Sequence, residues 1–79
     1  MRRVVIRFED GTVTSFDLVE ERLERDLLHH LGLFPGKQVE RVEEQVYDPA
    51  HPRRFRYERR EDLEALCLSY TKGASGKSM

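Results

Sequence analysis

The sequence predicts a small, single α+β domain in which antiparallel β-hairpins pack against two helices, in the order ββα-ββα. Two segments alternate apolar and polar side chains as strands do, two segments repeat apolar residues at helical spacing, and each helical segment follows strand-like ones. The 79 residues are enough for one domain. We place it at residues 1–72 and expect residues 73–79, which are mostly small and polar, to form a disordered tail.

The first hairpin is predicted to join a strand over residues 3–8 to a strand over residues 12–17. A three-residue loop that ends with Gly11 in the left-handed conformation sets Phe8 opposite Thr12. This register leaves Val5 outside and gathers the apolar side chains on one face, namely Val4, Ile6, Phe8, Phe16 and Leu18. The alternative is a two-residue Asp-Gly turn, which would mix polar residues into that face. Because one face must be buried, we predict the three-residue loop.

The first helix is predicted over about residues 18–31. Asp17 and Glu20 have the spacing of a capping box, with Asp in place of the usual Ser or Thr. Gly32 is expected just past the end of the helix. The predicted apolar stripe consists of Val19, Leu23, Leu27 and Leu31.

Residues 38–47 allow two interpretations. Their valines follow helical spacing, so a helix is the alternative. Their β-branched content, and the breaker over residues 48–52 before a short strand at 53–58, favour a second hairpin. The second helix is predicted over about residues 61–72, with Gly73 beyond its end. Its apolar stripe consists of Leu63, Leu66, Cys67 and Tyr70.

Composition and charge predict a cytoplasmic protein. The chain has a single cysteine, and a lone thiol is typical of a reducing compartment. The apolar run at residues 4–6 is interrupted by Arg7, which makes it too short for a signal peptide or for a bilayer span. The net charge of −1 argues against an overall attraction to nucleic acid or to membranes.

No residue pattern indicates catalysis, a cofactor or a metal site. Residues 76–78 (Gly-Lys-Ser) match the end of a phosphate-binding loop, but Thr71 stands where that motif requires glycine. His29 and His30 point about 100° apart on a helix, so they do not converge on one ion. We expect His30 to pair with Asp26, and Cys67 to be a small buried core residue.

The most informative segment is the arginine-rich stretch over residues 53–60. Strand alternation sends Phe55 and Tyr57 to one side and Arg54 and Arg56 to the other. An acidic stretch precedes it, with Glu40, Glu43 and Glu44, and can lie across from the arginines in a hairpin. Three interpretations remain open: a salt-bridged ribbon, a protein-binding patch, or a nucleic-acid-binding surface.

We predict a non-catalytic protein-binding module: an adaptor, a regulatory subunit or a small inhibitor of a larger protein machine, of a kind that phage and other mobile elements encode. Its partner is expected to be another protein, and its open strand edges also allow a homodimer. The alternative is a nucleic-acid-binding domain that uses the ribbon at 53–60. Arginines and exposed aromatics anchor interfaces, so the predicted binding residues are Arg53, Arg54, Arg56, Tyr57 and Arg59.

Overall fold

The fold is one four-stranded antiparallel sheet with two helices packed on the same face, which confirms the α+β class and the predicted element order. The computed structural model describes residues 2–76, with side chains up to Tyr70. The sheet order is β2-β1-β3-β4. The elements are β1 (Arg2–Phe8), β2 (Val13–Asp17), a short 3-10 turn (Glu20–Arg22), α1 (Leu23–Gly32), β3 (Val39–Tyr47), β4 (Phe55–Arg59) and α2 (Glu61–Gly76).

The first hairpin has the predicted register. Val4 lies opposite Phe16, and the backbone N–H of Phe8 donates to the carbonyl of Thr12 at 2.8 Å. Gly11 has a φ of 91°, a conformation that favours glycine and closes the three-residue loop. The apolar face therefore points to the core, as the burial requirement predicted.

Residues 39–47 form a strand, so the helical alternative for 38–47 is wrong. This strand pairs with β1 on one side, with Ile6 opposite Val42, and with β4 on the other, with Gln45 opposite Tyr57. Its β-branched valines suit a pleated surface flanked by two neighbours. Because β3 is central, it connects the first hairpin to the arginine-rich segment.

The core lies between the sheet and the two helices. It is built from the inner-face residues of the strands and the apolar stripes of both helices, which confirms the predicted stripes except at Val19, which precedes the 3-10 turn and does not belong to the core. Its buried members are Val4, Ile6, Phe8, Phe16, Leu27, Val42, Leu63 and Cys67.

The helix ends differ from the sequence-based expectations. Asp17 does not cap the first helix: its carboxylate accepts a hydrogen bond from Arg3 Nη1 at 2.7 Å, and a 3-10 turn precedes α1. Gly32 lies inside α1, and the glycine after this helix that adopts the left-handed conformation is Gly36, with a φ of 80°. Helix α2 continues to Gly76, beyond the predicted end at residue 72, and residues 77–79 of the predicted tail lie outside the described part of the chain.

Candidate interaction surface

The face of the sheet opposite the helices is covered by none of the described elements, and we call it the open face. Strand alternation and the observed registers show which side chains lie on this face. Its side chains are Arg3, Val5, Arg7, Val13, Ser15, Asp17, Arg41, Glu43, Gln45, Tyr47, Phe55, Tyr57 and Arg59.

Three aromatic side chains cluster at the β3–β4 side of the open face, and we call them the aromatic patch: Tyr47, Phe55 and Tyr57, with 48%, 39% and 47% of their surface exposed. The rings of Tyr47 and Phe55 meet edge to face across the two strands, with centroids 5.7 Å apart. The amide of Gln45 donates to the Tyr57 hydroxyl at 2.9 Å. These contacts hold large rings in fixed positions while leaving them accessible.

The centre of the open face carries an ion pair between a buried carboxylate and a partly exposed arginine. Glu43 is only 8% exposed, and Arg7 Nε donates to its carboxylate at 2.6 Å. This hydrogen bond raises the pKa of Arg7 above its usual value. The Arg7 guanidinium also lies over the Tyr57 ring, 5.8 Å from its centroid. Val5 lies on this face as predicted but is only 7% exposed, because it is in a central strand between two neighbours.

The structure does not bring the predicted binding residues to one surface. Tyr57 and Arg59 lie on the open face, whereas Arg56 points to the helix-covered side. Arg53 and Arg54 lie in the loop between β3 and β4. Strand alternation therefore separates Arg56 from Tyr57, as the sequence indicated, but Arg59 joins the aromatic side.

The arginines of β4 and its flanks are paired to different degrees. Arg59 makes two hydrogen bonds to Glu64, both 2.9 Å long, and these raise the pKa of its guanidinium. Arg56 pairs with Glu58 and lies 3.5 Å from the carboxylate of Asp48. Among the described side chains, neither Arg53 nor Arg54 has an ion-pair partner.

The acidic stretch of β3 is neutralised in part by the predicted arginine-rich stretch, through Arg60, and in part by arginines of β1 and β3 itself. Glu44 is buried on the helix side of the sheet, 3% exposed, with Arg60 Nη1 2.5 Å and Arg2 Nε 2.9 Å from its carboxylate oxygens. The sequence pattern placed Glu44 in an acidic stretch that can face the arginines, and its burial was not predicted. Its position between Val42 and Val46 on the same strand face was the signal that could have found it.

The predicted structural roles of the remaining polar candidates fit the structure, with one change of partner. His30 Nδ1 lies 3.0 Å from the Thr14 hydroxyl and its ring stacks on Phe16, so Thr14 replaces Asp26 as its polar contact. Burial, together with the neighbouring His29, lowers the pKa of His30. Cys67 lies in the core, where burial raises the pKa of its thiol to about 11.

A groove of about 270 Å³ opens between the end of α1, the following loop and Tyr70 of α2. Its lining is mostly apolar, and its only amine, that of Lys37, is paired with Asp10. No nucleophile lies beside a base along this lining. Within the described residues, no three histidine, cysteine or acidic side chains form a group that could hold a metal ion.

Neither helix, over the residues that are described, is long and apolar enough to cross a bilayer. Comparison with known protein families, with curated proteins and with solved structures found no match to this chain.

Proposed function

We propose that this chain is a non-catalytic protein-binding module and that the open face is its contact surface. The observation that supports the proposal is the exposed aromatic patch, which lies beside Arg7 and Arg59 on a sheet face that no described helix covers. Aromatic and arginine side chains supply most hot spots in protein interfaces. Contiguous exposed rings on a small domain are typical of such a site.

The side chains of this surface are held in place before any partner arrives. Arg7 is anchored by Glu43, Tyr57 by Gln45, and Arg59 by a neighbouring carboxylate of α2. Binding therefore orders few side chains, which lowers its entropic cost. A rigid, mixed apolar and charged surface suits an adaptor or a small inhibitor.

The local charges favour a protein partner. All four open-face arginines contact a carboxylate of the same chain, namely Arg3, Arg7, Arg41 and Arg59. Such pairing weakens the field that would attract a phosphate backbone, while still leaving N–H groups to donate across an interface. We infer a partner surface that presents apolar groups with a few carboxylates or carbonyls.

A capture experiment tests the proposal. The tagged chain is used as bait in an extract of its native cell, and Phe55→Ala/Tyr57→Ala is compared with the control Leu28→Ala/Leu33→Ala, which removes exposed apolar side chains on the helix side. We expect a partner that binds the wild type and the control in fixed stoichiometry and is lost with the patch variant. A partner that binds the patch variant equally well would contradict the assignment of the open face.

A second candidate function is binding of single-stranded nucleic acid through the same face. The specific observation in its favour is the guanidinium of Arg7 over the Tyr57 ring, because aromatic rings and arginines on one sheet face can stack on bases and contact phosphates. This function predicts affinity that falls steeply with salt.

Fluorescence anisotropy with labelled single-stranded RNA and DNA, at low and at physiological salt, decides on the second candidate. Binding that weakens steeply with salt and is lost in Phe55→Ala/Tyr57→Ala would favour nucleic acid. Absence of binding at low salt would eliminate it and leave the protein-binding proposal in place.

A further inference from the structure

We propose that β4 pairs edge to edge with β4 of a second copy of this chain, which forms a two-fold symmetric dimer with a continuous eight-stranded sheet. This interface uses the edge of β4, and it brings the open faces of the two copies side by side rather than covering them. Strand β4 is the last strand of the sheet, and all five of its residues are exposed.

The backbone of β4 presents free hydrogen-bonding groups along this edge. The N–H of Arg60 donates to Val42, and the carbonyl of Arg54 accepts from Asp48, so the even-numbered residues bond to β3. Because antiparallel bonding alternates, the N–H and C=O groups of Phe55, Tyr57 and Arg59 point away from β3. No described strand lies beyond them. An added antiparallel strand would satisfy these groups.

In one register, the side chains of β4 are complementary to those of β4 in the second copy. With Tyr57 opposite Tyr57 of the second copy, Arg56 faces Glu58 on the helix side and Phe55 faces Arg59 on the open face. The first pair is an ion pair across the interface, and the second brings a guanidinium to an aromatic ring. Symmetry repeats both pairs.

The neighbouring registers place like charges together. A slip in one direction sets Arg56 opposite Arg56 of the second copy, and a slip in the other direction sets Glu58 opposite Glu58. Directly opposed like charges destabilise a strand pair. The charge pattern of β4 therefore selects the register centred on Tyr57, which also uses the full length of the strand.

The loop that precedes β4 extends this complementarity. The same register carries Arg53, which has no ion-pair partner among the described side chains, towards Glu61 of the second copy in the first turn of α2. Arg54 lies outside the strand, at a φ of 65°, so the register does not fix its partner. By symmetry, each end of the pairing brings one Arg53 to the acidic start of an α2 helix.

The paired strands are short, on the order of 17 Å at about 3.3 Å per residue. Such an interface falls below the ~1,200 Å² of a standard stable complex. We therefore expect a dimer that dissociates on dilution, and sedimentation must cover a wide range of concentration.

The test is a charge exchange measured by analytical ultracentrifugation of the full chain. Arg56→Glu makes the edge acidic and Glu58→Arg makes it basic, so each variant alone is expected to be monomeric where the wild type is dimeric. An equimolar mixture should form a heterodimer, because each edge then meets its opposite. Arg25→Glu, an exposed charge change on α1, is the control and should leave the dimer unchanged.

A second variant tests the backbone contribution. Tyr57→Pro removes an N–H that points away from β3, so the hairpin keeps its own hydrogen bonds while the edge loses a central donor. Circular dichroism checks the fold, and sedimentation is expected to show a monomer. A wild type that stays monomeric at the highest concentration, a mixture of folded variants that does not associate, or a folded Tyr57→Pro that dimerises normally would each overturn the proposal.

Discussion

Replacing Arg60 by alanine is expected to destabilise the fold by about 3 kcal/mol, because it leaves a buried carboxylate without its closest cation. Glu44 is almost fully buried, between Val42 and Val46 on the helix side of β3. Arg60 Nη1 lies 2.5 Å from one of its oxygens, and Arg2 Nε lies 2.9 Å from the other.

The size of this destabilisation follows from the unequal contributions of Arg60 and Arg2 to neutralising Glu44. Opposite charges about 4 Å apart attract by about 4 kcal/mol at the effective dielectric constant near a protein surface. After the loss of Arg60, Arg2 retains part of this interaction, although its side chain is largely exposed. A domain of this size is stable by ~4 to 12 kcal/mol, so a loss of about 3 kcal/mol is readily measured.

Removing the carboxylate is expected to cost much less. In Glu44→Met, Arg60 keeps its two hydrogen bonds to Asp62, 2.9 and 3.0 Å long, and has access to water. An unbranched apolar side chain then fills the buried site. The expected change is within about 1 kcal/mol of zero, and it is stabilising if the packing is good.

Urea unfolding followed by circular dichroism measures these effects. The control is Arg3→Ala, which removes a surface arginine paired with the exposed Asp17 and should cost at most about 1 kcal/mol. The double variant Arg60→Ala/Glu44→Met should recover most of the loss. Equal destabilisation by Arg60→Ala and Glu44→Met, or an Arg60→Ala as stable as the wild type, would refute this reasoning.

Three further predictions concern single positions. Arg54 has a φ of 65°, so Arg54→Gly should increase the free energy of unfolding by about 0.5–1 kcal/mol and raise the urea midpoint accordingly. Arg53→Gly in the same loop should not stabilise the fold, and an equal gain from both would contradict the role of the backbone conformation at Arg54. The buried thiol of Cys67, with its pKa raised to about 11, should react with a thiol reagent at pH ~8 only after unfolding; rapid labelling of the native chain would contradict its burial. Burial lowers the pKa of His30, so the unfolded chain binds a proton at this residue more readily than the folded chain does. The melting temperature should therefore fall as the pH drops below about 6.5, and it should fall less in His30→Gln. An equal fall in both proteins would disprove this role of His30.

The local elements and their inner faces were predictable because they depend on short-range periodicity. The register of the first hairpin followed from the need to bury one face, and the stripes of both helices followed from 3.6-residue spacing. The helix ends were less predictable. Asp17 satisfied Arg3 across the hairpin instead of capping the helix, since a strand neighbour competes with a local cap for the same carboxylate.

The candidate interaction surface was only partly predictable. The arginine-rich segment was identified, and alternation separated Arg56 from Tyr57 correctly. The neighbours that complete the aromatic side were missed: Arg7 comes from β1, and Gln45 from β3. Their contribution depends on which strands become adjacent, which a local pattern does not encode.

The amino-acid sequence alone determined that this chain forms two hairpins and two amphipathic helices, and which side of each element is apolar. Only the tertiary structure decided that β1 and β3 lie side by side at the centre, and therefore that Glu43 pairs with Arg7 and Glu44 with Arg2 and Arg60. The physical reason is the distance along the chain over which each interaction acts. Side-chain periodicity acts over a few residues, whereas the strand order reflects long-range packing of both helices on one face, which leaves the other face open.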